Sequence, residues 1–113
     1  MISHQKINDE AVMIKTGREL DNNNAHEMVE AITDLQDRKY KFIIMDFSEL
    51  EFLSSAGVGS ILGTIEISRE LGGDIIICNA SEKILHILEV LDLLDYFTIR
   101  DKLEDARNCC VSA

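Results

Sequence analysis

Apolar and polar positions alternate in blocks along the chain, and each block predicts one element of secondary structure. Residues 5–16 contain two short apolar stretches around Asn8 and Asp9, which predicts a β-hairpin with its turn at that point. After a polar loop, apolar residues recur at helical intervals and predict a first helix over residues 25–38. Asn24 and Glu27 have the spacing of a capping box at the start of this helix.

Strands and helices continue to alternate through the rest of the chain. Residues 42–45 and 74–78 are continuous apolar runs, which are typical of strands covered on both faces. The helix predicted between them has an apolar stripe of Val58, Ile61, Leu62 and Ile65. This helix is predicted to end at Leu71-Gly72-Gly73, because a glycine readily adopts the left-handed conformation of a helix C-terminus. Ser81 is predicted to cap a third helix.

The end of the chain completes a pattern that defines the fold class. Residues 96–99 predict a short edge strand, and Asp101 with Glu104 has the capping-box spacing of a last helix. The order β-β-α-β-α-β-α-β-α predicts an α/β fold with a mixed β-sheet, an N-terminal hairpin and about four helices. We interpret residues 1–113 as a single domain, because no proline marks a linker and the length suits one hydrophobic core.

The charge of the chain limits its partners. Eleven basic and 21 acidic side chains give a net charge of −10, which repels nucleic acid and anionic membrane surfaces. We therefore expect no nucleic-acid binding, and a charged partner should present a basic surface. No apolar run approaches the roughly 20 residues of a bilayer span, so no membrane insertion is expected. The N-terminus lacks a signal-peptide pattern, which favours a cytoplasmic protein.

The stretch FLSSAGVGSILG at residues 52–63 joins a predicted strand to a predicted helix, where α/β proteins commonly place ligands. Its glycines are spaced G-x-G-x-x-x-G, which departs from the dinucleotide fingerprint, and no P-loop lysine is present. Leu53 occupies the first glycine position of a hydrolase G-x-S-x-G turn around Ser55. The histidines and carboxylates do not assemble around either serine, so we predict no catalytic residue, cofactor or metal site.

The two serines have a simple structural interpretation, but the helix behind them has an unusual surface. Serine is a preferred N-cap residue, which satisfies a free amide at a helix start. Opposite the apolar stripe, a second helix face consists of Ala56, Ser60, Gly63 and Ile67. A solvated face normally carries charged residues, and each glycine inside a helix costs about 1 kcal/mol relative to alanine. Two alternatives explain these small residues, which are close approach of a partner protein and close packing inside the domain.

The same residues carry a family likeness. The run FIIMDFSELEFLSSAGVGSILG and the later run ELGGDIIICNASEKILHILEVLDL together resemble the STAS domain of bacterial anti-sigma factor antagonists. The likeness covers residues 11–103. These small cytosolic proteins bind an anti-sigma factor that is also a serine kinase, and so release the sigma factor that it holds. The resemblance implies a regulator without catalytic activity, since ATP is bound by the partner.

The resemblance also implies which residues form the site. In the family the loop typically reads aspartate-serine-serine-glycine, and the partner kinase phosphorylates the first serine, which matches Ser55 here. Ser54 replaces the aspartate, and Ala56 replaces the second serine. The expected partner-binding residues are Asp21, Ser54, Ala56 and Gly57 from this resemblance, together with Ser60, Gly63 and Ile67 from the second helix face.

The resemblance implies a switch. A phosphate on Ser55 would lie at a helix N-terminus, where the helix dipole tolerates negative charge, but its charge and bulk would weaken docking of the kinase. A phosphatase is implied for resetting the switch. Two other interpretations remain open, which are a STAS scaffold subunit of a transport or signalling complex that is never phosphorylated, and a small α/β protein that binds an anion at the loop.

Overall fold

Seven strands and four helices alternate along residues 3–110, the part of the chain that the computed structural model describes. The strands are β1 (Ser3–Asn8), β2 (Ala11–Lys15), β3 (Glu19–Leu20), β4 (Phe42–Asp46), β5 (Phe52–Leu53), β6 (Asp74–Cys78) and β7 (Thr98–Arg100). The helices are α1 (Ala25–Asp37), α2 (Ser55–Glu70), α3 (Glu82–Val90) and α4 (Leu103–Asn108). The predicted α/β fold with an N-terminal hairpin, a mixed sheet and four helices is confirmed.

The main sheet has five strands in the order β1-β2-β4-β6-β7. The β1 strand is antiparallel to β2, as the hairpin prediction requires, and the other neighbouring strands are parallel. A second sheet was not predicted and consists of β3 and β5, which pair in parallel over two residues each. Pairs this short contain no hydrophobic period, so the sequence pattern does not reveal them.

The two faces of the main sheet are covered unequally. Apolar side chains of α1, α2 and α3 pack on one face and form the larger core cluster. The other face is covered by α4, with Ala106 and Cys110 packed on apolar residues of β4 and β6. All five residues of β4 are buried, which explains why its sequence is a continuous apolar run rather than an alternating one.

Three helices end in the same backbone motif. The residue after the last turn adopts a left-handed conformation in α1, α2 and α3, and these residues are Lys39 (φ 73°), Gly72 (φ 89°) and Asp92 (φ 61°). In each case the next amide N–H donates to a carbonyl five residues earlier, at N···O distances of 3.1, 2.8 and 2.8 Å. The predicted end of α2 at residues 71–73 is confirmed, and Gly72 is the glycine that adopts the left-handed conformation. Lys39 and Asp92 hold the same conformation with a side chain, which is sterically unfavourable.

Neither predicted capping box forms. The Asn24 side chain makes no cap to α1, because its Oδ1 accepts from the Asp21 amide at 2.9 Å and its Nδ2 donates to the Glu19 carbonyl at 2.6 Å. At α4 the N-cap is Lys102, whose side chain makes no capping hydrogen bond. The N-cap at Ser81 is confirmed, since its hydroxyl accepts from the Ile84 amide at 3.3 Å.

The last strand also lies later than predicted. β7 spans Thr98–Arg100, whereas the prediction began it at residue 96. Residues 96 and 97 instead belong to the turn after α3, where both amides donate to the Leu93 carbonyl. This turn hydrogen bonding leaves those amides unavailable for a sheet.

We predict that Lys39→Gly stabilises the fold by about 1 kcal/mol, because glycine adopts a positive φ without the steric cost of a Cβ atom. Urea denaturation measures the free energy of unfolding. Lys39→Ala removes the same charge but keeps the Cβ atom, so it serves as the control and should bring no such gain. Equal stabilities of the two variants would contradict the assignment of strain to this residue.

Candidate functional site

The two serines of the loop after β5 occupy different environments. Ser54 is the N-cap of α2 with an extended backbone (φ −91°, ψ 168°), and its hydroxyl accepts from the Gly57 amide N–H at 3.1 Å. It therefore satisfies one of the free amides at the helix start. Ser55 is the first helical residue, and its side chain is exposed. The cap is thus formed by one serine, and the outward-facing hydroxyl belongs to the other.

The position of the α2 N-terminus is set by contact with β3. The Ser54 amide donates to the Leu20 carbonyl oxygen at 3.0 Å. A Cβ atom on Gly57 would lie 2.4 Å from that same oxygen, so no other residue fits there without movement of the backbone. Gly57 lies in the first turn of α2 and is buried against β3, and its predicted partner-binding role stays a prediction.

Asp21 lies beside the loop because of the small second sheet. Leu20 of β3 is in register with Leu53 of β5. The next residues, Asp21 and Ser54, therefore follow the two parallel strands at the same end of the small sheet. The Asp21 carboxylate is partly exposed and accepts from the Asn23 amide at 2.9 Å. The structure therefore brings together two predicted site residues that are 33 positions apart in the sequence.

The outward face of α2 consists of small and apolar residues. We define this outward face as Ala56, Gly59, Gly63 and Ile67, all of which are exposed. A Cβ atom placed on Gly59 or Gly63 would meet no other atom within 4 Å. Close packing inside the domain therefore does not explain these two glycines. Gly59 was not among the predicted partner-binding residues, although its spacing from Gly63 was a usable signal.

Ser60 does not belong to the outward face, so the prediction that it shares an exposed surface with Gly63 and Ile67 is wrong. Its side chain is buried, and its hydroxyl donates to the Gly57 carbonyl at 2.6 Å within the same helix. Thr64 and Ser68 follow at four-residue intervals and are also buried. This row packs toward α1, where the Gln36 amide donates to the Thr64 carbonyl at 2.8 Å and to the Ser68 hydroxyl at 2.9 Å.

Phe52 adds an exposed aromatic ring next to the loop. Its side chain is 51% exposed, and the Lys83 ammonium nitrogen lies 4.6 Å from the ring centroid. A shallow depression of about 530 Å³ lies beside it, between the β5 segment and the start of α3. The sequence-based prediction missed this residue, because a strand of two residues has no period that assigns Phe52 to either face.

The site has no arrangement of groups for catalysis within residues 3–110. No hydrogen bond joins Ser54 or Ser55 to a histidine or carboxylate in this part of the chain, and His26 and His86 are paired with Glu30 and Glu89. The described residues also contain no group of three or more metal-ligating side chains. Chemically, the site offers an exposed hydroxyl at a helix N-terminus and a helix surface where small and apolar residues lie beside the exposed carboxylates of Glu66 and Glu70.

No helix among the described residues is both long and apolar enough to cross a bilayer. The elements build a mixed sheet with helices over both faces and a strand-to-helix loop at one end.

The STAS domain model matches residues 4–106, and the chain therefore belongs to the STAS domain family. It is 26% identical over 92 residues to an anti-sigma F factor antagonist of Paenibacillus polymyxa, covering 80% of this chain and 78% of that protein. Its fold matches the anti-sigma factor antagonist SpoIIAA in its unphosphorylated form with a TM-score of 0.82 and 22% identity, over 100% of both chains. The phosphorylated form of SpoIIAA from Bacillus gives a TM-score of 0.74 and 24% identity, over 96% of this chain and 97% of the other.

We predict that Ser54→Ala destabilises the protein by about 1 kcal/mol, because the Gly57 amide loses its capping acceptor. Ser55→Ala is the matched control and should change the free energy of unfolding by no more than a few tenths of a kcal/mol, since alanine suits a first helical turn. Chemical denaturation of both variants measures the difference. A larger loss in Ser55→Ala would show that the two serines have exchanged roles.

Proposed function

We propose that this protein is an anti-sigma factor antagonist that binds an anti-sigma factor with serine kinase activity and thereby frees a sigma factor. Phosphorylation of Ser55 switches this binding off. The observation that carries the proposal is the outward face of α2. A Cβ atom added to Gly59 or Gly63 would lie in open space, and the exposed Ser55 lies at one end of this face.

The glycines support a docking function because they weaken the fold without serving it. Each glycine in a helix interior costs about 1 kcal/mol relative to alanine, and neither Gly59 nor Gly63 makes room for any part of this chain. A helix face without side chains lets a partner approach the backbone closely. Ile67, which is 39% exposed, would add apolar contact area at the far end of the face.

The position of Ser55 supports a phosphorylation switch. A phosphate there adds about −1.5 to −2 charges beside the free amides of the helix start, where negative charge is favourable. The Ser54 cap does not involve the Ser55 hydroxyl, so the modification leaves the capping hydrogen bond in place. The phosphate therefore acts on docking, through bulk, desolvation and charge, with little effect on the fold.

Similar proteins support both parts of the proposal. The Paenibacillus relative is an anti-sigma F factor antagonist, and SpoIIAA is an anti-sigma factor antagonist with structures in unphosphorylated and phosphorylated forms. In the proposed scheme the partner binds ATP, this chain is a substrate rather than an enzyme, and a phosphatase restores the active form. The exchange takes place in the cytoplasm, and the net charge of −10 suits a partner with a basic surface.

A constitutive STAS scaffold in a transport or signalling complex is the second candidate, and one observation favours it. Ser54 replaces the family's aspartate with a neutral side chain that still caps α2. The capping hydrogen bond is therefore retained, while the negative charge beside the phosphoacceptor is absent. A kinase that reads that charge would not modify Ser55, and docking would then be permanent.

We predict that an anti-sigma factor kinase encoded beside this protein's gene phosphorylates Ser55 in the presence of ATP and magnesium. Phosphosite mapping by mass spectrometry should find the phosphate on wild-type protein and on Ser54→Ala, and not on Ser55→Ala. Calorimetry should show that Ser55→Ala keeps wild-type affinity and Ser55→Asp binds more weakly, because only the second adds charge. A phosphate found only at other residues would refute the site, and tight binding without phosphate would favour the scaffold.

We predict that Gly63→Ala raises the free energy of unfolding by about 1 kcal/mol and at the same time weakens kinase binding about tenfold or more. The methyl group favours the helix but holds the partner away from its backbone. Asn108→Ala is the control, since this exposed residue ends α4 on the other side of the sheet, and it should leave the affinity unchanged. A stabilised Gly63→Ala variant with unchanged affinity would show that docking occurs elsewhere.

A further inference from the structure

A chain of side-chain contacts fixes one carboxylate beside the outward face of α2. The Tyr96 hydroxyl donates to Glu66 Oε1 at 2.6 Å, although both side chains are exposed. The Arg69 guanidinium carbon lies 4.8 Å from the centroid of the Tyr96 ring, and its Nη2 donates to the Tyr96 carbonyl at 2.9 Å. Arg69 therefore holds the aromatic ring in place, and the hydroxyl of that ring holds Glu66.

Arg69 is itself anchored in the fold. Its Nε donates to Asp74 Oδ1 at 3.1 Å, and these two side chains are only 33% and 23% exposed. The Thr98 hydroxyl donates to the other Asp74 oxygen at 2.5 Å. The contacts thus run from β7 and the start of β6, through Arg69 and Tyr96, to a carboxylate on the surface of α2.

The hydrogen bond between Tyr96 and Glu66 has little to contribute to folding. Hydrogen bonds and ion pairs between exposed groups add little net stability, because water replaces them readily. Arg69 already joins α2 to the turn before β7 through its own hydrogen bonds. Arg69 holds the Tyr96 ring, so the remaining consequence of the Tyr96 contact is that it favours one direction of the Glu66 carboxylate. A fixed side chain loses less conformational entropy when it binds a partner.

Glu66 is placed where a partner would meet it. It follows Ser55 by eleven residues, close to three helical turns, so the two side chains lie on the same flank of α2 about 16 Å apart along its axis. Gly59 and Gly63 lie on the surface between them. Glu66 and Glu70 are the exposed acidic residues on this side of α2. Glu66 is the one that accepts the Tyr96 hydroxyl, so its oriented carboxylate can determine how a partner aligns along the helix.

We propose that Glu66 is a specificity-determining residue of the docking surface, that Tyr96 positions it, and that it receives an arginine or lysine side chain of the anti-sigma factor. This inference rests on the proposed function. The negative charge of the whole chain attracts a basic partner, and Glu66 selects one whose cation lies opposite the end of the outward face, about 16 Å from the Ser55 contact.

The hydrogen bond can be tested in solution without a partner. Its contact with Glu66 raises the pKa of the Tyr96 hydroxyl above its ordinary value of 10.0. The chain has two tyrosines, so Tyr40→Phe leaves Tyr96 as the only one. An ultraviolet titration in that background should show a lower Tyr96 pKa after Glu66→Ala. An unchanged pKa would overturn the positioning role of Tyr96.

Binding to the kinase used in the phosphorylation assay tests the specificity role. Glu66→Gln should raise the Kd about tenfold and make it less dependent on salt concentration, because the ion pair with the partner is lost. Tyr96→Phe should raise the Kd about threefold. Tyr96→Phe keeps the ring under Arg69, so its melting temperature should stay within a few degrees of wild type. Glu104→Gln makes the same charge change on α4, across the sheet, and should leave the Kd unchanged.

The outcomes separate this inference from the function on which it rests. Loss of affinity in Glu66→Gln and Tyr96→Phe, with Glu104→Gln unaffected, supports the role of Glu66. Equal affinities of Glu66→Gln and Glu104→Gln would overturn that role while leaving the proposed function intact. A wild-type protein that binds no anti-sigma factor would overturn the proposed function and the inference with it.

Discussion

The Leu20 carbonyl oxygen determines where the start of α2 and the loop before it lie. It accepts the Ser54 amide at 3.0 Å and approaches Gly57 so closely that no Cβ atom fits between them. These two contacts hold the first turn of α2 against β3, and they thereby set the positions of Ser54 and Ser55. The pairing of β3 with β5 sets the register, which brings the Asp21 segment beside the loop. A two-residue strand thus has an effect far larger than its length suggests.

Long elements with many apolar residues could be predicted from the sequence, because burial leaves a repeated signal. The runs in β4 and β6 are buried along nearly their whole length, and α1 and α3 have distinct apolar faces. The small sheet could not be predicted, since two residues carry no period. The side of α2 that holds Ser60 was also misjudged, because small polar residues that bond to their own helix can be buried as readily as apolar ones.

The chemistry of the loop was only partly accessible to sequence reasoning. Helix capping explains one hydroxyl of a serine pair, and physical principles do not choose between neighbours before the backbone is known. The structure shows that Ser54 caps α2 and that Ser55 is exposed. The prediction that Ser55 is the phosphoacceptor depends on the family resemblance and stays a prediction, with which the geometry is compatible because that hydroxyl lies outside the cap. Asn24 shows the opposite case, where correct capping-box spacing is overridden by hydrogen bonds within the preceding loop.

The strand order β1-β2-β4-β6-β7 has a consequence for how the chain assembles. After the hairpin of β1 and β2, each new main-sheet strand pairs with the previous one and lies at the free edge of the growing sheet. No strand has to insert between two that are already paired. The sheet can therefore grow in the order in which a ribosome delivers its strands, with each crossover helix covering the face just completed, as suits a domain that folds from its N-terminus during synthesis.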